Sequence, residues 1–501
     1  MTFFPGFGFI SLCYLFGIKC PTKDISQLSV PCGDIIFESN SNFVNDSKNA
    51  WAIFDDIIPS GIIYCECKRC VIQSVKFLTD NDISFSIRSG GHSYGGYNKE
   101  NDKVILDLSR MNKIRLSQNK KRLVVEPGVT TQEVMLYLKN TNNTDVVIPV
   151  GTCPTVNIGG YAQCGGSSFY SRAIGLSVDY VISADIVLAN GELITATRNN
   201  EYKDLLYAIR GAGGGSFGVV TKFVFRTNRD TPETVLFHSL FYTPTKPQDL
   251  ISFFNAVKFL YPQTDVDFVA GFGNAGGNPS FFLYFFYVPI KDGATIDDGR
   301  HIINQTRSMF EPNGGILIGS NEVTDSIVNT MSTVIHPSFQ PILVPPVGLA
   351  IARYVPNTDV ITDDWIIKLS NEIFSDLNSS ITPQFTLFFN SYGNGAILDS
   401  DPKNKKTSFV NRDALGTIGA QIDYFADQSE LAFNLGKKYD DYFIQLSTKV
   451  YNGYKGNLYN TVTMSDIYSD DKVFKKLVKA KKKYDPTNVF NYEFSIPTKI
   501  K

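Results

Sequence analysis

The alternation of apolar and polar positions changes character along the chain. Between Ile83 and Glu126, short β-rich runs (ISFSIR, KVILDL, RLVVE) are separated by turn clusters, which predicts strands. Thr130 and Glu133 then stand at capping-box spacing before VMLYLKN, so a helix follows. In DIVLANGELITA (Asp185 to Ala196), Asn190-Gly191 separates two apolar runs and favours a two-residue hairpin turn with positive φ. EYKDLLYAIR places Leu205, Leu206 and Ile209 on one helical face, Gly211 can stop that helix, and VVTKFVFR reads as a strand. Beyond Arg226 the texture shifts to aromatic runs such as SFFLYFFYVP (Ser280 to Pro289), interleaved with helical stretches such as DLISFFNAVKFL (Asp249 to Leu260), as in a second α+β unit. Near the end, Lys472, Lys475, Lys476, Lys479 and Lys483 line one helical face and Val473, Phe474, Leu477 and Val478 another, the pattern of a helix with one solvated side.

Length and composition narrow the function classes. The chain has 501 residues, 43% of them hydrophobic, enough for two or three cored units. With 47 basic against 49 acidic residues it has no polyelectrolyte field, which argues against a non-specific nucleic-acid binder. The apolar run Phe3 to Ile18 is too short to span a bilayer and is broken by Pro5, Gly6 and Gly8, so residues 1–25 read as a leader of the secretory type rather than an anchor. That leader points to the secretory pathway or the exterior. Sequons at Asn45, Asn142, Asn304 and Asn378 are compatible with a glycoprotein but occur at about the frequency chance gives.

The eight cysteines are too sparse for a disulfide-built scaffold. Cys65, Cys67 and Cys70 are close enough to suggest a metal, but no further Cys or His follows nearby, so packing or one disulfide is expected and no metal site is assigned.

Gly213 to Gly218 matches a dinucleotide-binding pattern, and Gly214 to Gly218 matches a serine nucleophile elbow around Ser216. Both motifs require a strand before and a helix after, whereas here a helix precedes and a strand follows, so both readings are rejected. Three glycine clusters remain: RSGGHSYGGYN (Arg88 to Asn98), GTCPTVNIGGYAQCGGS (Gly151 to Ser167) and RGAGGG (Arg210 to Gly215). Adjacent glycines leave backbone N–H groups unobstructed, as a chain wrapping a large phosphorylated ligand requires. His92 and Cys153 are the nucleophiles within these loops.

These clusters, with GLSVDYVISADIVLANGE, LLYAIRGAGGGSFGVVT, SYGNGAILDSDPKNKKTSFVNRD and KYDPTNVFNYEFSIP, closely resemble in order the berberine bridge enzyme-like flavoprotein oxidases. That family is a branch of the vanillyl-alcohol oxidase, PCMH-type FAD-binding fold and includes the oligosaccharide oxidases. The resemblance implies an α+β protein: an FAD-binding domain of two α+β subdomains (40–228), an inserted substrate domain of antiparallel sheet backed by helices (229–444), and a C-terminal return to the FAD domain (445–501). It implies FAD bonded through its 8-methyl carbon to His92 and through ring carbon six to Cys153. Further contacts are implied from Arg88, Ser89, Gly90, Gly91, Ser93, Tyr94, Gly151, Thr155, Val156, Gly159, Gly160, Tyr161, Gly165, Gly166, Val219 and Asn488.

The implied activity is an oxidase taking a hydride from an alcohol or carbohydrate and passing electrons to O2 to give H2O2, with Val156 the small branched residue typical of the family's oxidases. Tyr451 or Tyr454 would be the base, with Asn390 orienting it or the substrate. Departures from the family pattern are present. YNGYKG (Tyr451 to Gly456) keeps both tyrosines of Tyr-x-Asn-Tyr-x-Asp but neither the Asn nor the Asp, and Asn390 stands in a carboxylate's place. Tyr161 replaces a frequent histidine and Cys164 a frequent Gly or Ser. These changes keep alive an alternative, a flavin-binding protein without turnover acting as a binding or defence-associated surface protein.

Overall fold

The computed structural model describes residues 25–47, 58–93, 95–97, 100–274, 279–311, 315–339, 347–377, 383–424, 426–450 and 462–500. The 1–25 leader, apart from its last residue, lies outside the described residues.

Strands β1 (Gly33–Ile36), β2 (Gly61–Cys65), β3 (Phe85–Arg88) and β4 (Val104–Asp107) form a sheet in the order β1-β2-β4-β3. Both β2 and β3 run parallel to β4, and the helix Lys68–Asp80 is the crossover that parallel strands require. Two disulfides, Cys32–Cys67 and Cys65–Cys70, tie the end of β2 to the start of that helix and to the residue before β1. This corrects the expectation of at most one bridge. Cys32 reaches the cluster only because β1 pairs with β2, with Gly33 opposite Cys65.

A second sheet, wholly antiparallel, contains β5 (Ile114–Leu116), β6 (Arg122–Val125), β7 (Val181–Val187), β8 (Leu193–Thr197) and β9 (Val219–Arg226) in the order β5-β6-β9-β7-β8. The expected helix spans Thr131–Asn140, and its capping box is formed: Thr130 Oγ1 accepts from Glu133 N–H (3.1 Å) and Glu133 accepts from Thr130 N–H (2.7 Å). The β7–β8 hairpin is present, but its turn is longer than expected. Leu188 N–H donates to the Glu192 carbonyl (2.9 Å), leaving a three-residue loop in which Gly191 is left-handed (φ +80°) and Asn190 is not. Asn190 Oδ1 instead accepts from Glu192 N–H (3.0 Å), closing a turn that needs only one glycine.

The third sheet has seven antiparallel strands: β10 (Val235–Thr243), β11 (Val266–Gly273), β12 (Ser280–Tyr287), β13 (Ile316–Asp325), β14 (Val347–Val355), β15 (Gln384–Ser391) and β16 (Gly416–Tyr424), ordered β13-β10-β12-β11-β15-β16-β14. Strand alternation sorts the aromatic runs onto two faces. Phe281, Leu283 and Phe285 pack under the helices Pro247–Leu260, Ile296–Phe310, Asp363–Leu377 and Ser429–Phe443. Phe237 and Phe286, on the opposite face, join the core of the second sheet. Arg172 fastens this junction: its backbone N–H donates to Asp267 (3.0 Å) and its guanidinium to the carbonyls of Gln263 (2.9 Å), Gly393 (3.1 Å) and Leu415 (2.5 Å).

The C-terminal helix Asp471–Tyr484 buries Val473, Leu477 and Val478 as expected, with Phe474 partly covered. Lys481, absent from the expected solvated face, is fully buried. Its ammonium donates to Asp485 (2.7 Å) and to the carbonyls of Ser216 (2.7 Å) and Phe490 (2.6 Å), which joins the tail to the loop before β9. A buried ammonium is tolerated only when every proton finds an acceptor, and here all three do. Lys481→Met should lower unfolding stability by about 3–5 kcal/mol in denaturant titration, because Asp485 is left buried without its counter-charge, whereas Lys475→Ala on the exposed face should change it by less than about 0.5 kcal/mol.

Candidate active site

The three glycine loops converge between the first two sheets. A Cβ on Gly90 would lie 2.6 Å from Asn157 Oδ1, and one on Gly159 would lie 2.2 Å from Ser89 Oγ, so the first two loops meet at a distance only glycine permits. The third loop docks onto the second: Gly211 and Gly213 N–H groups donate to the Gln163 carbonyl (3.0 and 3.4 Å), while Gln163 Nε2 donates to the Gly159 carbonyl (2.7 Å). The glycines there also make room, since a Cβ on Gly211 would meet the Phe409 backbone at 2.3 Å. That part of RGAGGG is therefore a packing contact. Gly160, exposed on the second loop, has no atom within 4 Å of a would-be Cβ and faces open space.

At this convergence His92 Nε2 lies 3.0 Å from Thr155 Oγ1, and the same hydroxyl lies 3.6 Å from Cys153 Sγ. Burial pulls the His92 imidazole down to about 4, with a hydrogen bond to the Thr155 backbone opposing, so it is neutral at physiological pH. Cys153 is a free cysteine whose thiol is pushed up by burial, against hydrogen bonds from Thr155 and from Val156. The cysteine turn is held by the helix Thr131–Asn140. Thr131 N–H donates to the Val156 carbonyl (2.9 Å), Gln132 N–H to Pro154 (3.3 Å), and Thr131 Oγ1 to the Cys153 carbonyl (2.6 Å). N–H groups that a helix start leaves unpaired are thus spent on positioning a nucleophile. On the other side, buried His336 places Nε2 3.0 Å from the Gly151 carbonyl and links the loop to the chain beneath β13.

Other expected residues fall into several environments. The Arg88 side chain is committed elsewhere: it pairs with Asp107 and donates to the Asp46 carbonyl (2.9 Å) and to Tyr64 Oη (3.4 Å), while its carbonyl accepts from Leu108 N–H (2.8 Å). Ser89, Gly91 (φ +70°) and Ser93 follow β3 in the first loop. Tyr161 Oη donates to the Ser167 carbonyl (2.8 Å), and its ring packs against Gly151 and Gly166. Gly165 (φ +121°) receives Phe409 and Gly166 (φ +75°) receives Ser177. Val219 opens β9 inside the core with Val187 and Phe490. Asn488 is left-handed (φ +59°), and its buried Oδ1 has no partner among the described residues. Tyr94, Tyr451 and Tyr454 lie outside the described residues.

Asn390 sits in a row across the large sheet, with Thr417 on one side and Val269 then Tyr284 on the other. Directly opposed residues share a face. The Tyr284 ring stacks near Phe339 (4.7 Å) and Phe169 (6.3 Å), so this face looks toward the glycine loops. Asn390 Nδ2 donates weakly to Thr417 Oγ1 (3.5 Å), and its buried Oδ1 has no partner among the described residues. Sequence reasoning missed Thr131, Asn157, Gln163, Tyr284 and His336. Only Thr131 carried a signal, the capping box beside it.

Residues 59–197 match the family model of an FAD binding domain, and residues 466–497 match that of berberine and berberine-like proteins. In these two segments the chain is similar to the berberine bridge enzyme-like FAD-linked oxidoreductases. It is 39% identical to berberine bridge enzyme-like 5 of Arabidopsis thaliana over 40% of this chain and 39% of that one. It is 26% identical to the chitooligosaccharide oxidase of Gibberella zeae over 86% of this chain and 85% of that one. The alignments to several other FAD-linked relatives span 36% to 48% of those proteins' lengths. The fold is shared with the BBE-like 1 protein of Physcomitrella patens, at TM-score 0.80 and 23% identity over 94% of this chain and 98% of that one. The site fits FAD: two nucleophiles share one hydroxyl, a glycine face is open, and the Asn488 acceptor is unspent.

Gly159→Ala should cost about 1–3 kcal/mol of folding stability by overpacking against Ser89. Gly160→Ala should leave stability within about 0.5 kcal/mol yet lower the flavin retained on purification, read from absorbance, because its methyl would enter the open face. Full retention by Gly160→Ala would remove that face from the site.

Proposed function

We propose that this protein is an FAD-dependent oxidase whose flavin is joined to both His92 and Cys153, and that it oxidises the C–OH group of an alcohol, a carbohydrate above all. The observation that carries the proposal is the Thr155 hydroxyl within hydrogen-bond reach of both nucleophilic side chains. Bound FAD would supply two-electron oxidation, accepting a hydride from a substrate carbon and delivering the electrons to O2 as H2O2. His92, neutral at working pH, keeps the lone pair needed to attack an electron-poor carbon. Tyr451 or Tyr454 would take the substrate hydroxyl proton, and Asn390, with its unspent Oδ1, would accept a hydrogen bond from substrate or base and orient it. Val156, three residues beyond Cys153, would be the small branched residue that favours O2 as the acceptor.

The carbohydrate preference draws on the tyrosine pair and on relatives named as carbohydrate-acting, including a carbohydrate oxidase of Microdochium nivale with the same fold (TM-score 0.77, 21% identity over 93% of this chain and 98% of that one). Residues 40–228 with 445–501 would form the flavin unit and 229–444 the substrate unit, a division supported by the Lys481 link from the tail to Ser216. Two disulfides favour maturation in the secretory pathway or outside the cell, with the 1–25 leader directing it there and the sequons open to glycosylation. A second reading, a flavin-bound protein without turnover, is favoured by one observation: an amide at Asn390, which unlike a carboxylate cannot strengthen a tyrosine base.

Intact mass of the acid-denatured protein should show one added FAD that persists in His92→Ala and in Cys153→Ala and disappears only in the double variant. Flavin released by acid from the unaltered chain would overturn the covalent assignment. Anaerobic mixing with a sugar and alcohol panel should bleach the flavin with at least one member, and Phe at Tyr451 or Tyr454 should slow that bleaching by about 100-fold or more. No bleaching with any panel member would favour the second reading.

A further inference from the structure

Building on the two-bond reading above, we propose that Thr155 carries the proton that Cys153 must lose to become bonded to the flavin. Its Oγ accepts the thiol proton while its own hydroxyl proton passes to Nε2 of His92. The geometry is that of a hydroxyl-bridged Cys–His pair: Sγ to Oγ1 is 3.6 Å and Oγ1 to Nε2 is 3.0 Å. Both ends of the bridge are fixed independently. Thr131 holds the Cys153 and Pro154 carbonyls (2.6 and 3.3 Å), and the first glycine loop, pressed against Asn157 and Gly159, carries His92. A hydroxyl is amphoteric, so one side chain can take a proton from sulfur and release another to nitrogen without itself becoming charged.

Neither partner ionises readily alone, because burial raises the thiol and lowers the imidazole. The transfer is therefore concerted with attack: the S–H bond breaks as the S–C bond forms, and the proton ends on His92. The hydrogen displaced from that ring carbon leaves as a proton to solvent, and the two electrons released go to O2, the acceptor already named, which takes up two protons as H2O2. Thr155 acts through Cys153 and His92 and is a positioning residue with a proton-transfer role. The methyl group of threonine contributes nothing to this task, so serine can replace it and valine, of nearly the same shape, cannot.

The test follows each link separately in the full-length protein. Cells making the chain under riboflavin starvation are fed riboflavin, and the fraction of Cys153-containing peptide bearing flavin is followed over time by mass spectrometry, with the His92 peptide as internal reference. Thr155→Val should slow formation of the cysteine link by about tenfold or more, and Thr155→Ser should restore it to within about threefold. In the His92→Ala background Thr155→Val should cost no more than about twofold, since the proton's destination is already gone. An unchanged cysteine-link rate in Thr155→Val overturns the relay, as does equal slowing with and without His92 or a serine variant no faster than valine. Absence of any bonded flavin on the unaltered chain instead defeats the reading beneath it.

Discussion

Two nucleophiles must arrive at the Thr155 hydroxyl, His92 from a position 63 residues away in the chain, and much of the surrounding structure answers that requirement. A tolerance of a few tenths of an ångström cannot be held by flexible loops, so the loops are made rigid by contact with one another. Glycine gives that contact its closeness. At Gly90 and Gly159 even a methyl group would overlap the facing loop. The rest comes from the backbone: the first turn of the helix Thr131–Asn140 spends its unpaired N–H groups on the turn that carries Cys153. Reactive groups placed this way lose little entropy when a ligand arrives, which is the general advantage of a preorganised site.

The large sheet supplies the opposite wall. Its period-two alternation puts one set of aromatic side chains under four helices and leaves a second set for the face toward the loops. Asn390 and Tyr284 lie on this second face, together with Thr417 and Val269. Burial pushes Tyr284 up to about 12, so that phenol is a hydrogen-bond donor rather than a base at physiological pH. The wall therefore offers an amide, two hydroxyls and aromatic surface.

Much of the fold was legible from local pattern. The capping box at Thr130 and Glu133, the strand-like runs around β3, β4 and β6, and the helix–glycine–strand order around Gly211 depend on neighbours in sequence, and the structure follows them. The features that escaped depend on partners distant in sequence. Lys481 reads as one more solvated lysine until Ser216 and Phe490 are brought beside it. Cys32 has no visible partner until β1 pairs with β2. Arg88 looked like a ligand contact because it borders the glycine loop, but its side chain points back into the first sheet to Asp107. The site was legible in part: glycine clustering marked the loops, family likeness singled out His92 and Cys153, and neither revealed that Thr155 joins them.

The attachment of the C-terminal helix also bears on how the chain matures. Lys481 and its three acceptors join the C-terminal helix to a loop made much earlier, with the entire seven-stranded sheet synthesised between them. During vectorial synthesis the loop around Ser216 emerges without this fastening and gains it only once the helix Asp471–Tyr484 has followed. The geometry of the loop before β9 thus depends on a segment 265 residues further along the chain.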